Sequence, residues 1–354
     1  MHSLKKRRAE HMKHPRITAR FRVMTPLKLH GAYNKGKKPI VELRIPSIKG
    51  ALRYWYRAAN PHYKKTVEPL GITQEEYLFG GANGKAGQSA FLMRFLEKPK
   101  GKGNSDFYKD KSFEIEFLLR PNFKQGKKPD PDWRGLLASI WLLGHFGGVG
   151  AKVRRGYGMI ALEKWEAKNC EKLQSMIDND FPILHNAKSF EDWEENLTRC
   201  WNNFVVNCDP NDEQSHTILD HHSSLFVSVV NDKCADDVRK TADNIIKNFC
   251  SKNKRNAVIF GLPKRTQGGT LEPKDKEYDR TPSPVWLRVF QVKQRYHSAF
   301  LFLTTQFPKE LHLRKKRNRQ TYFEDYPPVD FAGAIQSFKD QLKEEHYRRV
   351  CGYE

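Results

Sequence analysis

Hydrophobic and polar positions in the first half of the chain follow two different periods. Polar and apolar residues alternate through 17–29, which predicts a β-strand. Ile48, Leu52 and Trp55 recur at the spacing of an amphipathic helix, predicted over 48–59. The pattern then predicts strands at 89–96 and 113–119, a helix at 133–143 and a strand at 156–165. This β-α-β-β-α-β order is typical of a ferredoxin-like domain.

The second half of the chain repeats this order more loosely. Its pattern predicts helices at 190–204, 235–249 and 331–347, strands at 225–230, 258–260, 284–292 and 296–304, and loops at 209–215 and 268–278. A fourth strand after the last helix is not evident. We therefore expect an α+β protein with a basic arm at 1–15, a ferredoxin-like domain at 16–168 and a second, looser copy at 169–354.

The net charge of the chain limits the classes of function that fit it. The 354 residues include 63 Lys and Arg against 41 Asp and Glu, a net charge of +22, and the basic runs are spread over the whole chain. Such an excess favours a phosphate-backbone partner over a membrane surface, and no stretch is apolar enough to span a bilayer. The six cysteines lack metal-ligand spacing, which indicates reduced thiols in a cytoplasmic protein without a metal or other cofactor.

A glycine-rich loop at 148–158 is the sharpest local motif. Four glycines bracket three cations between a predicted helix and a predicted strand; they are Gly148, Gly150, Gly156 and Gly158, with Lys152, Arg154 and Arg155. Glycines permit close backbone approach to a phosphate, and the cations would neutralise it. The run that starts at Arg155 also matches the beginning of the RNP1 pattern of RRM domains, but Met159 and Leu162 replace its stacking aromatics.

A second motif lies on the first predicted helix. Lys49, Arg53 and Arg57 are four residues apart, so a helix would place them on one face, with Tyr56 beside it. Cations next to an aromatic suit phosphate contact and base stacking. An amphipathic surface helix without a ligand is the alternative interpretation.

These motifs together resemble those of a known family. The loop resembles the G-x-G, five residues, G-x-G motif of the RAMP superfamily of CRISPR proteins, and residues 45–57 resemble the first helix of the first Cmr subunit in type III-B systems. Further matches are the Phe79-Gly80-Gly81 run, the Phe260–Pro263 run and the run from Arg280 to Pro284. The resemblance spans about 16 to 310 and leaves out the basic arm and the tail.

The resemblance implies a non-catalytic RNA-binding subunit of a Cmr effector complex. Such a subunit would lie near the 3′ end of the guide RNA, beside another RAMP subunit, and assist target-RNA capture in antiviral defence. The matched helix, the matched loop and the residues Lys264, Arg265 and Arg280 would contact RNA. We expect this RNA in a basic cleft between the two domains, because neither set of cations is accompanied by the stacking aromatics of an open RRM sheet.

Catalysis is the competing hypothesis. Some RAMP relatives process guide RNA, so a metal-independent endoribonuclease with His30 or His145 as general base is the main alternative. Asp220, followed by two histidines, superficially resembles a phosphoesterase metal motif, but partner motifs are missing. A ribosomal or RNA-modification accessory protein is a third possibility.

Overall fold

The computed structural model describes residues 14–29, 42–68, 70–81, 86–99, 108–120, 129–204, 217–275, 281–317 and 320–352. They form two units. The first contains the described residues up to 153, those from 157 to 204 and the segment Gln291–Gln294, and the second contains Arg154–Gly156 and the remainder. Each unit is described by itself below.

The first unit contains six strands and five helices within its described residues. They are β1 (Arg16–Val23), α1 (Ile45–Ala59), β2 (Thr66–Val67), β3 (Ile72–Thr73), α2 (Gln74–Phe79), β4 (Phe91–Glu97), β5 (Ser112–Leu119), α3 (Trp133–His145), β6 (Ile160–Lys168), α4 (Glu171–Asp180) and α5 (Phe190–Phe204). The long strands form an antiparallel sheet in the order β4-β5-β1-β6. This is the predicted ferredoxin-like domain, with β2, β3 and α2 inserted after α1.

Local sequence explains where the two helices of this domain begin. Pro46 stands in the first turn of α1, where its missing N–H leaves no helical hydrogen bond unmade. Asp132 caps α3, because its carboxylate accepts a hydrogen bond from the Gly135 N–H at 2.8 Å. Both helices pack one face on the sheet, around buried residues such as Phe21 and Ile115.

Helices α4 and α5 also pack on the first unit. The rings of Phe204 and Trp141 stack with centroids 4.7 Å apart, and the Trp141 indole N–H donates to the Pro182 carbonyl at 2.7 Å. Phe181 contacts both Phe204 and Trp165. Residues 171–204 therefore continue the core of the first unit, whereas the sequence-based division placed everything after 168 with the second domain.

The second unit has a matching core. Its elements are β7 (Ser224–Asp232), α6 (Ala235–Lys252), β8 (Lys264–Thr266), β9 (Gly269–Pro273), β10 (Val285–Val292), β11 (Arg295–Phe302), β12 (Leu311–Arg317), β13 (Gln320–Tyr326), α7 (Phe331–Glu344) and β14 (Tyr347–Cys351). The main sheet has the order β10-β11-β7-β14, which repeats that of the first unit position by position. The predicted fold class, two ferredoxin-like domains, is confirmed.

The strand β14 corrects the sequence analysis, which saw no fourth strand in this half. The helix α7 ends at Glu344, and the chain turns at His346, whose φ is 63°. Strand β14 then pairs antiparallel with β7. Two adjacent arginines, Arg348 and Arg349, interrupt the apolar pattern, and this sheet-edge strand is only five residues long.

A second sheet of this unit, in the order β13-β12-β9-β8, was missed entirely; we call it the accessory sheet. Part of it replaces the predicted loop at 268–278. The strand predicted at 258–260 is instead a short 3₁₀ helix, Asn256–Phe260. One face of the accessory sheet packs Leu271 and Leu311 on Val258 and Leu262.

The core of the second unit generates a stability prediction. Phe338 is fully buried, and its ring contacts those of Phe249, Phe260, Phe300 and Phe302. Replacing Phe338 with Ala should lower the free energy of unfolding by about 3–5 kcal/mol, because it removes a large buried side chain and leaves a cavity. Urea denaturation measures the change.

The matched control is Val230→Ala in the same unit. Val230 is 61% exposed, so its truncation should cost less than about 1 kcal/mol. Equal reductions of stability in the two variants would contradict the core described here.

Candidate nucleic-acid interface

The cations of α1 lie on one face, as the spacing predicts. Helix α1 buries Ile48, Leu52 and Trp55 and leaves Lys49, Arg53 and Arg57 partly exposed. What these three side chains contact decides which of them can bind an anion.

Two of the three are held by one buried carboxylate. Arg57 donates two hydrogen bonds to Glu75, at 2.8 and 2.6 Å, and Arg53 Nε lies 2.6 Å from Glu75 Oε1. The hydrogen bond to Glu75 raises the pKa of Arg57. Arg53 also donates to the carbonyl of Gly80, within the Phe-Gly-Gly run. The pairing orients both guanidinium groups and neutralises one of the two charges.

Lys49 has a different environment. Its Nζ donates to Ser89 Oγ at 2.9 Å and lies 5.5 Å from the centre of the Phe91 ring. Burial lowers the pKa of Lys49, and the positive charges of Arg53 and Arg120 lower it further. We call Lys49, Arg53 and Arg120 the α1 cation cluster. An anion bound there would relieve the repulsion between like charges.

Arg120 was missed by the sequence analysis. It follows the last residue of β5, and its backbone N–H donates to the Ala90 carbonyl at 3.1 Å. Lys49 donates to Ser89, the residue before Ala90, so sheet pairing brings Arg120 into the neighbourhood of Lys49 across 71 residues of sequence. The only available signal was a cation directly after a predicted strand end, which is common.

Tyr56 does not fit the stacking role proposed from the sequence. It is 1% exposed, and its ring lies 5.4 Å from that of Phe79. Burial raises the pKa of the Tyr56 hydroxyl, and the charge of Asp132 adds to the effect. A side chain one helical position from the cationic face is turned by about 100° into the core, so no ring face is open to a base.

The glycines of the loop at 148–158 have a structural role. Gly158 adopts φ 60°, and a Cβ there would lie 2.1 Å from the Val149 carbonyl oxygen; at Gly150, φ is 97° and a Cβ would lie 2.6 Å from the Lys28 carbonyl oxygen. The Gly158 N–H donates to Pro26, and the Ala151 N–H to Lys28. Close packing against the backbone therefore requires these glycines, whereas their predicted approach to phosphate stays a prediction.

The other two glycines show the same pattern. Gly148 pairs with Met159 in an isolated antiparallel bridge, and a Cβ there would lie 2.7 Å from the Gly158 carbonyl oxygen. Gly156 has φ 74°, and a Cβ would meet the Arg239 side chain at 2.8 Å. All four glycines of the motif are thus positions that a larger residue would strain.

The three loop cations have three different environments. Lys152 is exposed and has a positive φ of 61°. In the second unit, the Arg154 guanidinium carbon lies 4.8 Å from the centre of the Trp286 ring, and Arg155 Nε donates to Asp243 at 2.5 Å. Burial raises the pKa of Asp243, but the Arg155 hydrogen bond and charge outweigh it and hold the pKa below its usual value.

These contacts change what is expected of Arg154 and Arg155. If the geometry of the loop depended on its glycines alone, both could be replaced by Ala without affecting the fold. In the structure, each makes a contact inside the second unit, so the double variant would remove stabilising interactions as well as charge. Their contact with RNA stays a prediction.

The predicted pair Lys264 and Arg265 is divided between two faces of the accessory sheet. Lys264 Nζ donates to the Ala257 carbonyl at 2.6 Å, and burial lowers its pKa. Arg265 is exposed. Arg280 lies outside the described residues, as does His30.

The outer face of the main sheet in the first unit is covered by ion pairs. Arg94 Nε lies 2.6 Å from Glu116, and Arg20 and Arg22 both lie within 4 Å of Glu163. Within the described part of its four strands, no aromatic side chain lies on this face. The run that resembles RNP1 lies in a turn before β6. RRM-like base stacking therefore has no platform on this face.

His145 is placed as a structural residue. It is 2% exposed, and its ring stacks on that of Trp141 at 4.2 Å. Its Nδ1 lies 2.8 Å from the Trp141 carbonyl oxygen, and its Nε2 accepts a hydrogen bond from the Leu184 N–H at 3.2 Å. Both ring nitrogens are engaged by backbone groups, which leaves neither for a proton transfer to RNA.

Asp220 caps a turn. Its Oδ1 accepts hydrogen bonds from the backbone N–H groups of His222 and Ser223, both at 3.0 Å, and from the Thr304 hydroxyl at 2.6 Å. In the described part of the chain, no three His, Cys, Asp or Glu side chains are arranged to hold a metal ion. Nor is any helix there long and apolar enough to cross a membrane.

Comparisons with known proteins also indicate the RAMP superfamily. The RAMP superfamily model matches residues 20–161. The CRISPR system Cmr subunit Cmr1-1 of Pyrococcus furiosus is 24% identical over 296 residues, which cover 76% of this chain and 83% of that protein. The resemblance to the RAMP superfamily is confirmed.

Solved structures agree with this result at the level of the fold. Apo Cmr1 from Pyrococcus furiosus has a TM-score of 0.54 and 18% identity, with 95% of this chain and 99% of that chain covered. A chain of the type III-B Cmr-beta complex bound to cognate target RNA has a TM-score of 0.55 and 12% identity, with 94% and 99% covered. The similarity to Cmr1 extends over both units, whereas the family model covers only the first.

The glycine loop generates a testable prediction. Gly158→Ala should destabilise the protein by upward of about 3 kcal/mol, because the new methyl group meets a carbonyl oxygen in a backbone conformation that already disfavours Ala. Gly71→Ala is the matched control: its φ is 63°, but no atom lies within 4 Å of the added Cβ, so only about 1–2 kcal/mol is expected. Thermal or urea denaturation compares them. Equal costs would contradict the tight packing of the loop.

Proposed function

We propose that this chain is a non-catalytic RNA-binding subunit of a type III-B CRISPR effector complex. The similarity to Cmr1 over most of the chain supports the assignment to such a complex. A chain with the same fold occurs in Cmr-beta bound to cognate target RNA, which supports RNA and other Cmr subunits as partners.

The observation that carries the RNA-binding part is the α1 cation cluster. The positive charges of Arg53 and Arg120 lower the pKa of Lys49, so the three cations lie in one neighbourhood. The carboxylate of Glu75 pairs with Arg53 and Arg57. Such an arrangement favours a bound anion with several oxygens, and an RNA phosphate fits it. The net charge of +22 would add long-range attraction.

Within the complex, we infer a position near the 3′ end of the guide RNA, beside another RAMP subunit. There the subunit would assist capture of target RNA. The contact would follow the RNA backbone and tolerate different base sequences. The α1 cation cluster offers charges, whereas the rings of Phe79 and Phe91 beside it are buried and not open to a base. A subunit that handles many guides needs this tolerance.

A binding role is favoured over guide-RNA cleavage by the environment of His145, whose two ring nitrogens are both engaged. The purified chain, incubated with repeat RNA in EDTA, should leave the RNA intact on a denaturing gel. Cleavage products that persist in EDTA, and that disappear with a variant of His30, would establish the endoribonuclease alternative instead.

RNA binding should depend on the α1 cation cluster. Replacing Lys49 and Arg120 together with Ala should weaken binding of single-stranded RNA by about 1–3 kcal/mol, roughly 5- to 150-fold, because two cations that would bind phosphate are removed. The slope of log K against log salt should also become shallower by about 0.7 for each phosphate that is no longer neutralised. Fluorescence anisotropy over a salt series measures both quantities.

The matched control replaces Lys164 and Lys168, two exposed cations on the outer sheet face of the same unit. Both double variants lower the net charge by two. If they weaken binding equally, the effect comes from overall charge and the α1 cation cluster is not a site. A salt-independent affinity of the wild-type chain would contradict phosphate binding altogether.

A further inference from the structure

The accessory sheet, which the sequence analysis missed, has two different faces. Its pairing register places Lys264, Leu271, Leu313 and Glu324 in one row across the four strands, and Leu271 and Leu313 of this row pack in the hydrophobic cluster. The neighbouring row consists of Arg265, Thr270, Arg314 and Phe323 and lies on the opposite, outer face. Adjacent residues of a strand point to opposite sides, so the two rows share no face.

The outer face presents an exposed aromatic ring. Phe323 is 58% exposed, although it is a large apolar side chain on an edge strand. Its ring centre lies 4.7 Å from that of His312, and Arg314 is its direct cross-strand neighbour. One side of the Phe323 ring thus packs on the sheet, and the rest of the ring is exposed to solvent. Nothing in the core requires Phe at this position.

Two cations without carboxylate partners in the described part of the chain, Arg265 and Lys316, lie on the same face as this ring. The two acids of the outer face are already paired: Glu272 with Arg314 at 3.0 Å, and Asp325 with Lys274 at 2.8 Å. Among the described residues, neither Arg265 nor Lys316 has a carboxylate within 4 Å. Lys316 is exposed and stands two residues from Arg314, hence on the same face. The uncompensated charge of this face is positive.

We propose that this outer face, formed by Arg265, Arg314, Lys316 and Phe323, is a second binding site for single-stranded RNA. A base would stack on the Phe323 ring, Lys316 on the neighbouring strand would contact a phosphate next to that base, and Arg265, three strands from Phe323, would contact a phosphate further along the RNA. Stacking on an aromatic platform flanked by cations is how proteins hold single strands without reading sequence. The inference rests on the proposed function only in taking RNA as the ligand.

A protein partner fits this face less well. The cores of protein–protein interfaces are apolar and depleted of charge. Here a single large apolar side chain shares its face with Arg, Lys, Glu and Asp residues, and two of the other three residues in its row are arginines. The chemistry of the face therefore favours an anionic ligand with planar rings.

The chain offers a matched pair of aromatic residues for the test. Tyr322 is 46% exposed but lies on the opposite face of the same strand, where its hydroxyl donates to Gln320 at 2.6 Å. Phe323→Ala should weaken binding of a uridine oligonucleotide of about eight nucleotides by roughly 5- to 150-fold, whereas Tyr322→Ala should leave it unchanged. Both are measured by anisotropy in the Lys49→Ala, Arg120→Ala background, so that the accessory sheet is tested alone.

Lysines of β12 provide a second matched pair. Lys316→Glu removes a cation of the outer face, whereas Lys315→Glu changes a side chain of the other face that pairs with Glu324 at 2.7 Å. Only Lys316→Glu should weaken binding. Phe323→Trp should retain binding, and Phe323→Leu should weaken it about as much as Phe323→Ala, because stacking needs an aromatic ring while a general apolar contact does not.

Photo-crosslinking of 4-thiouridine RNA to the full-length wild-type chain gives the site directly. Crosslinked peptides should include residues 311–326. Wild-type behaviour of Phe323→Ala and no crosslink in this segment would overturn the proposal, and the proposed function would stand if the α1 variants still bound RNA more weakly. Unchanged RNA binding with reduced incorporation of Phe323→Ala into the effector complex would show a protein-binding face instead. No RNA binding by the wild-type chain would overturn both.

Discussion

The carboxylate of Glu75 is only 8% exposed, and it lies 2.6 Å from guanidinium nitrogens of both Arg53 and Arg57. A carboxylate at this depth must be paired, because an unpaired buried charge is costly. The pairing orders the cationic face of α1 and links it to α2. Among the described residues, no carboxylate lies within 4 Å of the Lys49 ammonium group, and this is the basis of the phosphate contact proposed for it.

Pairing with a buried carboxylate also determines what several other arginines of the chain contact. Asp243 engages Arg155, Glu116 engages Arg94 and Glu272 engages Arg314. Each of these carboxylates is more buried than the cation it holds. A net charge of +22 therefore does not mean that all basic side chains are available to RNA. Lys49 and Lys316, two cations proposed to bind phosphate, have no buried acid as a partner among the described residues.

Both units keep one ferredoxin-like sheet order, and they differ in what is inserted into it. The first unit inserts α2, which carries Glu75 to α1. The second inserts the strands β8, β9, β12 and β13, which form the accessory sheet. Ion pairs cover the outer sheet face of the first unit, and the two proposed RNA-binding surfaces lie on a helix and on the inserted strands. In this proposal the repeated core positions the binding surfaces without forming them.

The sequence by itself determined the two domains, the order of their main elements, the RAMP resemblance and the shared face of Lys49, Arg53 and Arg57. These depend on periodicity and local spacing, which act over a few residues. It also predicted that the four positions in the loop at 148–158 require glycine, and it attributed this requirement to phosphate contact. The structure shows a close approach of Gly158 to the carbonyl of Val149, nine residues away, and the phosphate contact stays a prediction.

Tertiary structure alone decided the burial of Tyr56, the arrival of Arg120 beside Lys49, and the separation of Lys264 from Arg265. It also decided the accessory sheet, whose row from Arg265 to Phe323 joins residues 58 positions apart. In each case the deciding contact forms between segments distant in sequence. The helical pattern placed Tyr56 beside the cations, but packing against Phe79 determined which way it points. Long-range pairing of this kind leaves no local period, because its partners are chosen by how the sheets and helices come together in space.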